Sequence, residues 1–261
     1  MDSLYFVSAA RSAVGLIRNG NEDGALTHPQ LIAVADGMGG HAGGEIASAI
    51  ALEILARRAT VFTDAEMDRD SADDYFNSTI DEIDSALKVA SDDDPALSGL
   101  GTTLTALFIR NNQAVLLHVG DSRAYRIRGA SIEQLSVDHT VMQELLNAGT
   151  ITQADVAEHP QRSMLTQALM GSQTLSIALH ISDLKAGDRF ILCSDGLSGV
   201  LEDFEDSPLL KVTQSDRYFT FVPFMTYSVS GFKDNFAIPS PSVEYAVTSF
   251  EVSRGPVSRR L

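Results

Sequence analysis

Residues 31–40, Leu-Ile-Ala-Val-Ala-Asp-Gly-Met-Gly-Gly, constrain this chain more than any other stretch. Leu31 to Ala35 is wholly apolar and reads as a strand buried on both faces. It runs out at Asp36, where the backbone turns glycine-rich: Gly37, Gly39, Gly40, Gly43 and Gly44. A carboxylate at the end of a buried strand stands on a rigid support, and the glycines let the next turn approach a ligand closely. The design recurs far downstream, where Phe190-Ile-Leu-Cys-Ser194 ends in Asp195-Gly196. Either Asp-Gly alone is an ordinary turn signal. Two strand-end Asp-Gly corners in one domain point to two carboxylates brought to one place, the donor type that hard divalent cations such as Mg²⁺ or Mn²⁺ select.

The chain has 261 residues, enough for a substantial core in one large domain or two small ones. Its formal net charge of −16 argues against nucleic acid or an anionic membrane surface as partner, since both select basic patches. It suits a protein that concentrates cations. The single cysteine, Cys193, excludes an intrachain disulfide and lies inside an apolar run, where it reads as packing. No stretch approaches 18 uninterrupted apolar residues, and the N-terminus has no basic start. A cytoplasmic location is the expectation.

In chain order, residues 4–18 read as one or two strands. Asn19-Gly20 is a hairpin signal, and a hairpin returning into the 31–36 strand would bring Glu22 and Asp23 near Asp36. Glu45–Arg58 reads as a helix with Ile46, Ile50 and Ile54 on its core face. A second helix, capped by Thr63 or Asp64, carries Phe76, Ile80, Ile83 and Leu87 at the same period; its acidic face reads as solvated. Ser91–Pro95 reads as a loop. Thr102–Ile109, Ala114–Val119 and Arg123–Arg128 read as an antiparallel meander, with His118 as a half-buried strand residue. Helices are expected at about 139–148, at 152–158 with Thr152 and Asp155 forming a capping box, and at Ser163–Met170. Strands return at 174–181 and 188–194. Beyond Glu202 aromatic residues crowd 218–236, and no amphipathic helix is evident between 211 and 231.

These segments occur in a fixed order: Gly15-x-x-Arg18-x-x-Asn21-Glu22-Asp23, Ala35-Asp36-Gly37-Met38-Gly39-Gly40-His41, Gly101-Thr102-Thr103, Val119-Gly120-Asp121-Ser122-Arg123 and Ser194-Asp195-Gly196-Leu197. The chain resembles the metal-dependent serine/threonine protein phosphatases of type 2C, in their bacterial form. The resemblance is continuous from about residue 5 to 201. It implies an α+β fold, a four-layer α-β-β-α sandwich of two antiparallel sheets flanked by helices, with a metal cleft at one end of the sheets. The expected division is a catalytic domain over 1–240 and an atypical C-terminal tail over 241–261.

The chemistry fits such a cleft. Two cations about 3.5–4 Å apart can deprotonate a bridging water and hold it for in-line attack on phosphorus. Asp36 is the best candidate for the bridging carboxylate, with the Gly37 carbonyl as a further ligand. By the resemblance, Asp195 and Asp234 of Gly231-Phe-Lys-Asp234-Asn235 complete the pair, while Glu22 and Asp23 bind metal-held waters or lie just behind the ligands. Arg18 carries a planar fork of donors suited to two phosphate oxygens. Bacterial members that bind a third, weaker cation imply Asp121 and Ser163 as its ligands, with Asp195 shared; the stretch 139–162 then corresponds to the family's mobile flap. Animal members carry a histidine after the Asp-Gly. Met38 stands there and cannot donate a proton, which leaves a metal-bound water or His41. The surroundings of Asp234 depart from the family pattern, as a divergent end or a reading-frame change near residue 202 would both produce.

The function implied is Mn²⁺- or Mg²⁺-dependent hydrolysis of phosphoserine and phosphothreonine in proteins, opposing a serine/threonine kinase. The alternatives are a non-catalytic binding module on the same fold and a phosphatase for small metabolites.

Overall fold

The computed structural model describes residues 3–14, 20–40, 42–62, 69–156, 159–171, 175, 177, 179–199 and 245–255. At its centre is β3 (Leu31–Met38). Residues 31–35 of this strand are fully buried, and they divide between two cores by the two-residue alternation of a strand. Leu31, Ala33 and Ala35 face a core shared with helices, while Ile32 and Val34 face a second core between two sheets. That division is why the run carries no polar alternation.

The two sheets are antiparallel throughout. One has the order β2 (Asp23–His28), β3, β5 (Leu104–Arg110), β6 (Gln113–Val119), β9 (His180–Asp183), with the short β4 (Gly101–Thr102) pairing with the end of β3. The other has the order β1 (Ser3–Ala13), β11 (Tyr245–Gly255), β10 (Arg189–Cys193), β7 (Arg123–Arg128), β8 (Ser131–Gln134). Between them pack Leu4, Phe6, Ile32, Val34, Leu107, Leu116, Phe190 and Leu192. Phe6 and Phe190 meet edge to face at 6.1 Å. Each such side chain stabilises the fold by about 1.5–3 kcal/mol on burial. Helices α1 (Gly43–Phe62) and α2 (Arg69–Asp93) cover the other face of the β3 sheet. The result is the α+β sandwich that the resemblance implied.

Several local expectations change. The meander is broken: β5 and β6 form a hairpin through Asn111 and Asn112, both left-handed at φ 50° and 58°, but β7 belongs to the other sheet. The chain crosses between sheets at Gly120-Asp121-Ser122, so Asp121 sits at the end of the sandwich. The hairpin entering β3 turns at Pro29-Gln30, with residues 23–28 as the partner strand; Asn19 lies outside the described residues. The loop expected at 91–95 begins later. α2 continues to Asp93, and the Asp94 side chain then caps a 3₁₀ turn over Pro95–Leu97 by accepting from Ala96 N at 2.9 Å.

The helix expected at Ser163–Met170 is absent, because its backbone groups are taken by strand partners instead. Leu169 and Thr102 exchange two hydrogen bonds, at 2.9 and 3.0 Å, and Val141 N donates to Met164 O at 3.0 Å. α1 also buries small residues, Ala47, Ala51 and Ala59 with Ile54 and Leu55, whereas Ile46 and Ile50 are only half-buried. Close approach to the sheet requires the small face. Residues 245–255, placed by sequence in a tail, form β11 inside the sheet between β1 and β10. Thr63 and Asp64 lie outside the described residues.

That close approach is tightest at the head of α1. A Cβ on Gly37 would lie 2.0 Å from the Gly44 carbonyl oxygen and 2.6 Å from that of Glu22; one on Gly44 would lie 2.7 Å from Glu22 Cδ and 2.9 Å from Gly37 O. These glycines let the helix start directly against the Asp36–Gly37 corner. Gly37→Ala is therefore expected to cost at least about 1–3 kcal/mol by overpacking. Gly40→Ala, with nothing within 4 Å, should stay within about 0.5 kcal/mol of the parent. Chemical denaturation of the two variants checks the contrast.

Candidate metal centre

The corner at the end of β3 is built by register. Asp23, first residue of β2, is the Cα partner of Asp36. The two carboxylates therefore leave the sheet from facing positions. The Asp23 backbone is set by an Asx turn, its N–H donating to Asn21 Oδ1 at 3.0 Å. Glu22 is fixed through its carbonyl, which accepts from Gly37 N at 3.1 Å and from Ser48 Oγ at 2.7 Å.

The backbone of Asp36 is held from the next strand. Asp36 N donates to Thr103 Oγ1 at 3.0 Å, and its carbonyl accepts from Thr103 N at 2.9 Å and Thr102 Oγ1 at 3.0 Å. Thr103 Oγ1 is in turn 2.8 Å from Ser122 Oγ, in the crossover that carries Asp121. Gly120, at φ +106°, lies so close to Thr103 that a Cβ there would come within 2.5 Å of Thr103 Cγ2. On the opposite sheet β10 ends at Cys193, and Ser194 stands at the N-cap of α5 (Asp195–Ser198). Ser194 Oγ donates to Asp23 Oδ2 at 2.6 Å, a bond that crosses from one sheet to the other.

Four carboxylates thus share one end of the sandwich. Asp36 feels the charges of Asp23, Asp195 and Asp121. Burial, then those neighbouring charges, push its pKa far above the ordinary carboxylate range. Burial, then Asp195 and Asp138, push Asp121 up to about 7. In the absence of a counter-charge, the corner retains protons at pH values where isolated carboxylates have lost them. An all-oxygen, proton-retaining cluster is the donor set that a hard divalent cation fits, by displacing those protons. Among the described residues, no three of these side chains close into a cage by themselves.

Ser163 is exposed in the turn over 160–163. Its neighbour Met164 accepts from Val141 N, and Thr166 N donates to His139 O at 2.9 Å. His139 borders the Asp121 crossover: its N–H donates to Gly120 O at 2.8 Å and its Nδ1 accepts from Gly120 N at 3.2 Å. Arg18, His41 and Asp234 lie outside the described residues. His118 is a core histidine, with Nε2 donating to Val137 O at 3.0 Å and Nδ1 2.9 Å from Thr105 Oγ1; burial pushes it down to about 3, so it is neutral. Cys193 is buried and its thiol is pushed up to about 12, which leaves it inert.

Sequence reasoning missed three residues here. Asp138 forms a forked pair with Arg123, at 3.0 Å to Nε and 2.6 Å to the terminal nitrogen, and adds to the charge on Asp121. Ser194 stood in the sequence only as the residue before Asp195, yet it anchors Asp23. Thr103 was part of a motif without a role. Only Arg123, an arginine beside an otherwise acidic motif, signalled that a partner carboxylate was needed.

The family model described as "Protein phosphatase 2C" matches residues 22–236. The chain is 39% identical over 199 residues to the serine/threonine protein phosphatase PstP of Mycobacterium tuberculosis, covering 75% of this chain and 37% of that protein. It is 32% identical over 206 residues to the serine/threonine phosphatase Stp of Listeria monocytogenes, covering 77% and 81%. The chain therefore spans little more than a third of the mycobacterial relative but most of the listerial one. Among solved structures, the catalytic domain of PstP in complex with two manganese ions superposes with a TM-score of 0.73 at 29% identity, covering 96% of this chain and all of that one.

The raised pKa values have a testable sign. A group whose folded-state value exceeds its unfolded one stabilises the fold below the unfolded value, and that stability is lost as pH rises through the folded value. The metal-free protein is therefore expected to lose melting temperature between about pH 4 and pH 7, the interval set by Asp121. Saturating Mn²⁺ should remove or reverse that slope. Melting curves in EDTA and in Mn²⁺ across this range provide the check.

Proposed function

The chain belongs to the protein phosphatase 2C family, and from that premise we propose that it is a metal-dependent protein phosphatase that hydrolyses phosphoserine and phosphothreonine. The observation that carries this reading is the corner where Asp23, Asp36, Asp121 and Asp195 meet. We assign Asp36, the Gly37 carbonyl, Asp195 and Asp234 to two catalytic cations, Mn²⁺ or Mg²⁺. Glu22 and Asp23 stand behind them, and Asp121 with Ser163 takes a third, weaker ion together with Asp195. The manganese pair in the PstP structure supports the count of two. The family match extends to residue 236 and so includes Asp234.

When bound, such a pair supplies the charge and the activated water for in-line displacement at phosphorus. The chain's own residues do the rest. Asp36, held at both its N–H and its carbonyl by Thr102 and Thr103, presents its carboxylate without a reorganisation cost. Ser194 fixes the rotamer of Asp23 and so spaces it from Asp36. Arg18 grips two phosphate oxygens with its fork of donors. The acidic surface disfavours nucleic acid and leaves phosphoproteins, the products of a serine/threonine kinase, as substrates. Among the described residues no helix is long and apolar enough to cross a membrane, and we place the chain in the cytoplasm.

The experiment is hydrolysis of an aryl phosphate and of phosphoserine and phosphothreonine peptides, titrated with Mn²⁺. Asp36→Asn should fold and lose at least about a hundredfold in kcat. Arg18→Ala should act mainly on KM, with only partial rescue by Arg18→Lys. Metal-independent turnover, or near-normal turnover in Asp36→Asn, would overturn the assignment. A wild-type chain that binds Mn²⁺ but hydrolyses nothing would instead be a binding module.

A further inference from the structure

The acidic face of α2 carries many carboxylates, and most of them face solvent; Asp84 is an exception. It is half-buried, and one of its oxygens, Oδ1, accepts two backbone N–H groups from a distant segment, Met170 N at 3.1 Å and Gly171 N at 2.7 Å. The same segment is pressed onto the helix. Gly171 is left-handed at φ +72°, and a Cβ on it would lie 2.6 Å from Lys88 N and 2.7 Å from Lys88 Cα. Only a glycine permits that approach, so this contact belongs to the backbone itself.

From there a continuous set of bonds leads to the metal corner. Leu169, the residue before Met170, is buried and exchanges two hydrogen bonds with Thr102. Thr102 is the β-partner of Gly37, and its Oγ1 donates to the Asp36 carbonyl at 3.0 Å. Gly101 is wedged in the same way: a Cβ there would lie 2.9 Å from Leu169 O and from Met170 Cγ, and 3.3 Å from Met38 Cγ. Segment 169–171 therefore closes the open edge of β4, with its far end clamped by Asp84.

We propose that Asp84 is a positioning residue for the metal centre: by fixing the 170–171 turn on α2 it holds Leu169 against Thr102, and through Thr102 it sets the backbone of Asp36 and Gly37. The role rests on the metal-centre reading above, but the mechanical link does not. Its carboxylate acts as a double acceptor, so shape and acceptor oxygen matter more than charge. Asn keeps both, and Ala keeps neither.

Two measurements on the full chain test this. In Asp84→Ala the amides of Leu169 and Thr102 are expected to lose about tenfold or more of their hydrogen-exchange protection. Calorimetry should show Mn²⁺ affinity lowered by about 3- to 10-fold. Asp84→Asn should restore both. Asp92→Ala, on the same helix but with an exposed side chain paired to Lys88 at 2.8 Å, should alter neither. Unchanged protection at Leu169 and Thr102 would overturn the link. Lost protection with unchanged Mn²⁺ affinity would reduce Asp84 to a purely structural anchor and overturn the proposal. If the wild-type chain bound no Mn²⁺, the metal-centre reading would fail and take the functional role of Asp84 with it; the exchange data would still decide the link.

Discussion

Carboxylates repel one another, and the corner where Asp23, Asp36, Asp121 and Asp195 meet survives only because apolar strands hold it. Asp36 ends a strand buried on both faces, so neither it nor its register partner Asp23 relaxes apart without disturbing two cores. Asp121 sits in the crossover between sheets, and Asp195 follows β10 on the opposite sheet. Two short bonds, Thr103 to Ser122 and Ser194 to Asp23, tie the elements across the gap. The raised pKa values of Asp36 and Asp121 are the electrostatic signature of that confinement. A site of this kind is destabilised by its own charge until a cation neutralises it, which couples metal binding to stability and to proton release.

The architecture around the corner follows from the same demand. Helix α1 must start against the Asp36–Gly37 backbone, and the paired Gly37 and Gly44 make room where any side chain would collide. Thr102 and Thr103 serve as a hydroxyl-bearing edge that fixes Asp36 from the side. The segment after the short helices α3 (Val141–Asn147) and α4 (Gln153–Val156) returns as an extended piece because Thr102 needs a partner on its open side. Asp84, on the acidic side of α2, completes that enclosure from outside.

Much of this was legible in the sequence. The wholly apolar run before Asp36 announced a doubly buried strand. Phe76, Ile80, Ile83 and Leu87 announced the core face of α2, and all four are buried. The family resemblance supplied the sandwich. What sequence did not show were features set by tertiary partners. Residues 163–170 have helical spacing, yet their hydrogen bonds are claimed by Thr102 and Val141. The alternating run 123–128 looked like the third strand of a meander because nothing local marks a change of sheet; the cause is the left-handed Gly120 packed on Thr103. β11 follows a stretch unlike the family and was assigned to a tail, although β1 and β10 both pair with it. Asp84 and Ser194 were invisible for the same reason, since each acts on a backbone or side chain far away in the chain.

In the proposed reading this carboxylate corner is a divalent-cation site. The most direct measurement is a crystal grown with Mn²⁺ and recorded at wavelengths above and below the manganese edge. Two strong anomalous peaks are expected at the corner, one of them shared by Asp36 and Asp195, and both should be lost in Asp36→Asn. A wild-type crystal with no anomalous density within coordination distance of Asp36 or Asp195 would contradict it.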